Sequence, residues 1–280
     1  KRQNTAETVF SEVLSEKTFI GETTSMIYSP FMLKGRDIYD VFTERIVAKI
    51  PGNELDAFSG MFEEVDWRAN YIATLCPDCG WNLEGETDSC ALVCKNCNSL
   101  WQSSGKGFDR LDFASVSANG ANMHYLPFWR IKANIEGMEL KTYADLVRLA
   151  NLPKAIKPEW PDTELFFWVP AFKLRPELFL RIGRSVTIAE TKGGIKDELP
   201  KGFLHPVTLY SSEAAESLKL IIADTAINKK TVFPLLKDLR VLVENLMLIY
   251  LPFNLLRDEL YNPDMRLTIN KNALQFGRNL

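Results

Sequence analysis

The sequence predicts an α+β protein in which two duplicated, largely antiparallel strand-turn units carry flanking helices and one inserted four-cysteine module. Three observations predict it. Aromatic-x-Pro motifs close four apolar runs, helix-start signals stand between those runs, and all five cysteines fall within residues 76–97 of a 280-residue chain. Hydrophobic residues at 46% and charged residues at 25% describe a globular chain, which excludes collagen-like, coiled-coil and disordered classes. At this length roughly 70–75% of the unfolded surface can be buried, enough for a core that needs no disulfide scaffold. A net charge of −3 supplies no global attraction to nucleic acid or to anionic membrane.

The elements follow in chain order. Residues 1–14 lack the unbroken apolar stretch of a secretory signal, and Asn4 with Glu7 forms a capping-box pattern before a short helix. The segment Phe19–Asp40 aligns without gaps with Val241–Asn262, pairing Glu22 with Glu244, Ile27 with Ile249 and Tyr28 with Tyr250. Pro30 then pairs with Pro252, Phe31 with Phe253, Leu33 with Leu255 and Tyr39 with Tyr261. Each copy reads as a strand that stops at proline, followed by a turn and a return strand, because proline has no donor for the ladder. The same backbone course is expected in both copies. A weaker pair aligns Tyr125–Lys132 with Trp168–Arg175. Thr142 with Asp145 predicts a second helix start, and Ser211 and Ser212 predict a third. Residues 151–162, with three prolines, and 190–206 read as connections. The apolar run 241–256 is interrupted by Glu244, Asn245 and Pro252, so it is expected to be a core element and not a membrane span. The resulting division is 1–75 with 102–157 as a first half, 76–101 as the insertion, and 158–280 as a second half.

Cys76-x2-Cys79 and Cys94-x2-Cys97 form two knuckles separated by a hairpin-length gap. Each knuckle aims two thiolates at one point, so together they close a four-sulfur shell around a metal ion. This pattern resembles a zinc ribbon, and the first knuckle, CPDCG, is similar to one of rubredoxin, an iron protein. The second departs from rubredoxin because Asn98 stands where glycine would follow. The resemblance implies zinc, with iron as the alternative, held as a structural clamp. It covers residues 76–97 only. Cys90 is left over and reads as a buried thiol. Trp81 and Trp101 flank the module and are expected to dock it on the body.

Other candidate sites are thinner. Tyr28, Phe31, Tyr125, Phe128, Trp129, Trp168, Tyr250 and Phe253 either fill the cores of related units or form an aromatic surface that captures a peptide or bases. Glu22 and Glu244 are a possible carboxylate pair or two solvated strand residues. Residues 103–110 lack phosphate-loop spacing and read as a surface turn. His124 reads as a half-buried strand residue, and His205 carries no signal.

No nucleophile elbow, zinc-protease motif or dinucleotide fingerprint is present in the sequence. The leading expectation is therefore a cytoplasmic, non-catalytic protein-binding or assembly subunit. The alternatives are a nucleic-acid-binding ribbon and an iron electron carrier or enzyme subunit. The acids Asp78, Glu84, Glu86 and Asp88 against Lys95 argue against specific nucleic-acid binding.

Overall fold

The computed structural model describes residues 15–20, 23–28, 31–51, 71–104, 107–118, 120, 123–189 and 194–279, with backbone alone for 15–28. The capping-box pattern at Asn4, and Glu22, lie outside the described residues. The chain divides into two compact units, Lys1–Asn70 and Tyr71–Leu280. Both build on mostly antiparallel sheets, and with the helices of the second unit they make an α+β protein.

In the first unit, β1 (Ser15–Ile20) pairs antiparallel with β2 (Thr23–Tyr28). Strands β3 (Phe31–Lys34), β4 (Asp37–Asp40) and β5 (Ile46–Lys49) form a meander. Its small core is Ile38 and Ile50, with Phe31, Leu33 and Ala48 packed against them.

The second unit opens with a three-stranded sheet of β6 (Ala91–Cys94), β7 (Ser99–Ser104) and β8 (Gly107–Leu111). Residues 103–110, expected to be a surface turn, thus lie largely in two paired strands. The main sheet is built on the antiparallel pair β10 (Met123–Glu136) and β14 (Arg240–Leu256). Strand β11 (Phe167–Pro170) flanks β10, while β15 (Glu259–Asn262) and β16 (Leu267–Asn270) continue from β14. The short strands β9 (Phe113–Val116), β12 (Ile195–Lys196) and β13 (Phe203–Leu204) complete it. One sheet therefore draws strands from both sides of the proline-rich connection at 151–162.

Helices α1 (Tyr143–Leu149) and α3 (Ser211–Thr225) pack with Trp129, Ile131, Leu248 and Tyr250 in one core. Helices α2 (Pro176–Ala189) and α5 (Lys271–Gly277) contribute Ile182, Val186 and Leu274 to another, with Phe128, Ile249, Leu251 and Phe253. Alternate residues of β10 and β14 thus enter different cores. Burial on both sides explains why 125–129 and 248–253 read as continuous apolar runs and not as an alternation. The connection after α3 holds α4 (Lys229–Val232) and a 3-10 turn at Phe233–Lys237. Helix α1 begins with the expected capping box, Thr142 and Asp145 each binding the other's backbone. Helix α3 begins earlier than expected, with Tyr210 at the cap and no side-chain cap bond, so its serines do not act as caps.

Strands β10 and β14 do not stop at proline. Pro127 lies opposite Tyr250, and Pro252 opposite Tyr125, in mid-ladder. The carbonyls of Pro127 and Tyr125 accept from Ala171 and His205, so the polar groups of these residues face away from β14. Pro252, in the reciprocal position, faces the gap on β14 between the β9 pairing, which ends at Tyr250, and the β15 pairing, which begins at Asn254. A missing donor costs nothing where no acceptor lies opposite, so proline sits within a long strand. The carbonyl of Pro252 is met by the side-chain amide of Asn262 at 2.8 Å.

The two aligned copies share part of their course. Met32–Tyr39 and Leu33–Ile38 have the register of Asn254–Tyr261 and Leu255–Leu260. Gly35 and Arg257 both have positive φ at the turn, 63° and 46°, as do Glu44 and Arg266 further on, 54° and 49°. Asp40 Oδ1 accepts from the Thr43 amide at 2.7 Å, and Asn262 Oδ1 accepts from the Met265 amide at 2.9 Å. Upstream the copies differ, because β1 and β2 pair with each other whereas 240–256 is one strand. The weaker pair also diverges: Tyr125–Lys132 lies wholly in β10, but β11 ends at Pro170.

Among the described residues no helix is long and apolar enough to cross a membrane.

Candidate metal centre

The centre is made by two turns that deliver sulfur to one point. In the first, the Cys76 amide donates to Trp81 O at 2.7 Å and the Gly80 amide to Cys76 O at 2.8 Å, with Gly80 at φ 71°. In the second, Cys94 ends β6 opposite Ser99, and Asn98 takes the left-handed conformation at φ 58°. Asparagine is one of the few residues that tolerate that region, so Asn98 does conformationally what a glycine would.

The four sulfurs of Cys76, Cys79, Cys94 and Cys97 lie within 4.8 Å of one another. Cys76 Sγ is 3.5 Å from Cys97 Sγ, and Cys79 Sγ is 3.5 Å from Cys94 Sγ. A tetrahedron with metal–sulfur bonds of about 2.3 Å has edges of about 3.8 Å, so the arrangement fits a metal ion.

Ser99, which the sequence reading passed over, sits at the inner wall. Its hydroxyl oxygen accepts from Trp101 Nε1 at 2.8 Å and lies 3.0 Å from Cys97 Sγ and 3.6 Å from Cys76 Sγ. With the indole proton accepted, the hydroxyl's own proton is directed to sulfur, which favours thiolate.

Burial raises the Cys76 thiol, but the amides of Cys79 and Asp78 and the Ser99 hydroxyl outweigh it and bring it down to about 6. The Asn96 side chain and the Trp81 amide hold Cys79 below the usual thiol range. For Cys97 the Ser99 hydroxyl favours the thiolate, yet burial and the three neighbouring sulfurs outweigh it and push the group up to about 12. Four crowded sulfurs cannot all ionise together without a cation among them.

Cys90 stands apart. Its amide and thiol both donate to Val207 O, at 2.8 and 3.3 Å, and burial pushes the thiol up to about 12. It belongs with Ala91 and Leu100 to the body's core, and these residues dock the module. Trp101 instead packs inside the module against Cys76, Leu83 and Cys94, and Trp81 is 57% exposed. The expected docking by the two tryptophans is corrected accordingly. Polar contacts secure the seam: Ser103 Oγ with Tyr210 Oη at 2.8 Å, and Arg278 with Glu86 and Asp88.

The aromatic residues expected as a possible surface lie elsewhere. Tyr125, Phe128, Trp129, Trp168, Tyr250 and Phe253 are at most 3% exposed, because helices and strands cover both faces of the sheet. Phe31 is half-buried in the first unit's core, and the side chain of Tyr28 lies outside the described residues. Glu244 is the extra residue of a bulge opposite Lys132 and Ala133, and it pairs with Lys132 at 3.5 Å.

The module's acids are not an unpaired negative face. Glu84 meets Lys95 at 2.5 Å, Asp78 meets Arg110 at 2.6 Å, and Glu86 and Asp88 share Arg278. The pairing across 81 residues of the chain's two histidines was also not foreseen. No protein-family model, curated protein or solved structure matches the chain.

Proposed function

We propose that Cys76, Cys79, Cys94 and Cys97 hold one zinc ion in a zinc ribbon, and that the chain is a non-catalytic protein-binding or assembly subunit. The four-sulfur shell carries this reading. All four tetrahedral positions are filled by protein sulfur, which leaves no position for substrate or water, and a closed shell is the hallmark of a structural site. Metal-bound thiolates and the buried Cys90 thiol, which must all stay reduced, suit a reducing compartment such as the cytoplasm. The shared register, turn and Asx cap of 31–40 and 253–262 support a duplicated unit. For the partner, the ribbon presents Trp81 and Leu75, 57% and 49% exposed, as apolar anchors of the kind protein interfaces use. A basic stripe, the usual footprint of a nucleic-acid binder, is replaced on the ribbon by acids paired with Lys95, Arg110 and Arg278.

Iron is the second reading, and Asn98 favours it: its left-handed backbone removes the one departure from a rubredoxin-like second knuckle. Metal analysis and a visible spectrum of the purified protein decide between the two. One equivalent of zinc and no colour supports the proposal, and a red protein with stoichiometric iron overturns it. For the partner, wild type and Trp81→Ala are compared in affinity capture and in titrations with DNA and RNA at several salt concentrations. A protein held by wild type and lost with Trp81→Ala supports the reading, whereas sub-micromolar nucleic-acid binding with a steep salt slope overturns it.

A further inference from the structure

The sequence has two histidines, on β10 and just after β13, and the fold brings them together, with His124 Nδ1 3.4 Å from His205 Nε2. Phe203 closes the cluster, its ring centroid 5.0 Å from each imidazole. Gly202 permits the approach, since a Cβ there would lie 2.6 Å from Met123 O. The three rings wall a cavity of about 270 Å³ whose other side carries Phe172, Lys173, Lys271 and Arg278.

Its electrostatics are one-sided. Glu86 is the lining acid, and it is already paired with Arg278. Asp88, beside it, is also held by Arg278 and feels Lys173, so it is Lys271 that leaves the cavity positive. Burial lowers both histidines, with His124, Arg278 and Lys271 adding to the effect on His205, which falls to about 4, and Lys271 adding to that on His124. Both rings are neutral at pH 7. One donates to the other, so in either tautomer one outward ring nitrogen carries a proton that an anion can accept.

We infer that this cavity binds a small organic anion bearing a planar ring, with the anionic group toward Lys271 and the ring against Phe203 and Phe172. Cations complement the charge, and aromatic walls offer offset or edge contacts to a flat group. A metal ion between the histidines fits less well. Among the described residues no third histidine, cysteine or carboxylate joins them as a ligand, and the surrounding lysines repel a cation.

The test uses the proton signals of the two imidazoles in the full chain, assigned with His124→Gln and His205→Gln. Phenyl phosphate is the probe, and inorganic phosphate and zinc chloride are the comparison arms. Saturable shifts of both signals are expected, with a midpoint for His205 that rises above its unliganded value because the bound anion offsets Lys271 and Arg278. Lys271→Gln should weaken binding about tenfold, as loss of one charge-assisted contact predicts, while Lys95→Gln leaves it unchanged. If Lys271→Gln unfolds, the rise of the His205 midpoint in wild type serves as the deciding measurement. No saturation by about 10 mM phenyl phosphate, corresponding to affinity too weak for a built site, overturns the inference. So does equal affinity for inorganic phosphate, or stoichiometric zinc binding at the histidines without any response to phenyl phosphate.

Discussion

Asn262→Ala should destabilise the second unit by about 2–3 kcal/mol, because one side chain there satisfies two backbone groups that the sheet leaves out. Asn262 is 3% exposed, its Nδ2 donates to Pro252 O at 2.8 Å, and its Oδ1 accepts from the Met265 amide at 2.9 Å. Pro252 is buried between the stretches of β14 paired to β9 and to β15, so its carbonyl has no ladder partner. Leaving a buried acceptor unmet costs about 1–3 kcal/mol. The Met265 amide is only half-buried and can turn to water, so its share is nearer the ~0.5–1 kcal/mol of an ordinary hydrogen bond. Asn262→Asp keeps the turn but sets a carboxylate oxygen against the Pro252 carbonyl, and it should recover little. Asp40→Ala removes the matching turn acceptor in the first unit, where Asp40 is half-buried, and should cost about 1 kcal/mol or less. Urea unfolding followed by tryptophan fluorescence measures the second unit, since Trp129 and Trp168 lie in its cores. An Asn262→Ala midpoint within about 0.5 kcal/mol of wild type, the usual range of an inert surface change, would refute the account of how Pro252 is accommodated.

Three further outcomes follow from named contacts. Cys94→Ser should abolish stoichiometric zinc binding, whereas Cys90→Ser keeps the donor to Val207 O, retains the metal and costs only about 1 kcal/mol; equal metal loss from both would end the ligand assignment. Gly277→Ala places a Cβ 2.0 Å from Lys173 O and should cost roughly 1–3 kcal/mol as α5 shifts, which a thermal melt would show. His205 titrates near 4 when folded against about 6.5 unfolded, so the unfolded state binds more protons between those values and stability falls as pH drops through that window. Allowing for partial exposure, its share is about 2 kcal/mol, and His205→Gln should flatten the acid limb of the stability curve relative to wild type by that amount.

The four-sulfur cluster was legible because its geometry is local. Two thiols three residues apart on a tight turn converge whatever the body does, so spacing alone identifies the four sulfurs that come together. The turn at 35–36 and its partner at 257–258 were legible for a similar reason, since the pattern of apolar, proline and turn residues repeats in phase. The missed features depend on neighbours that spacing cannot supply. Proline in a strand reads as a stop unless it is known that β9 and β15 leave a gap beside Pro252. The aromatic residues around it could line a surface or fill a core until helices are seen to cover both faces of the sheet. Asn98 reads as a departure from a glycine pattern until its backbone is seen in the left-handed region that glycine would occupy. His205 precedes a proline in a loop, a position with no periodicity, and acquires meaning only through the two-residue parallel pairing of β13 with His124 and Tyr125. Residue types whose chemistry is completed by chain neighbours can be recognised from sequence, and those completed across a sheet cannot. In this chain the four-cysteine cluster is of the first kind and the histidine cavity of the second, so the two proposals rest on independent observations and can fail separately.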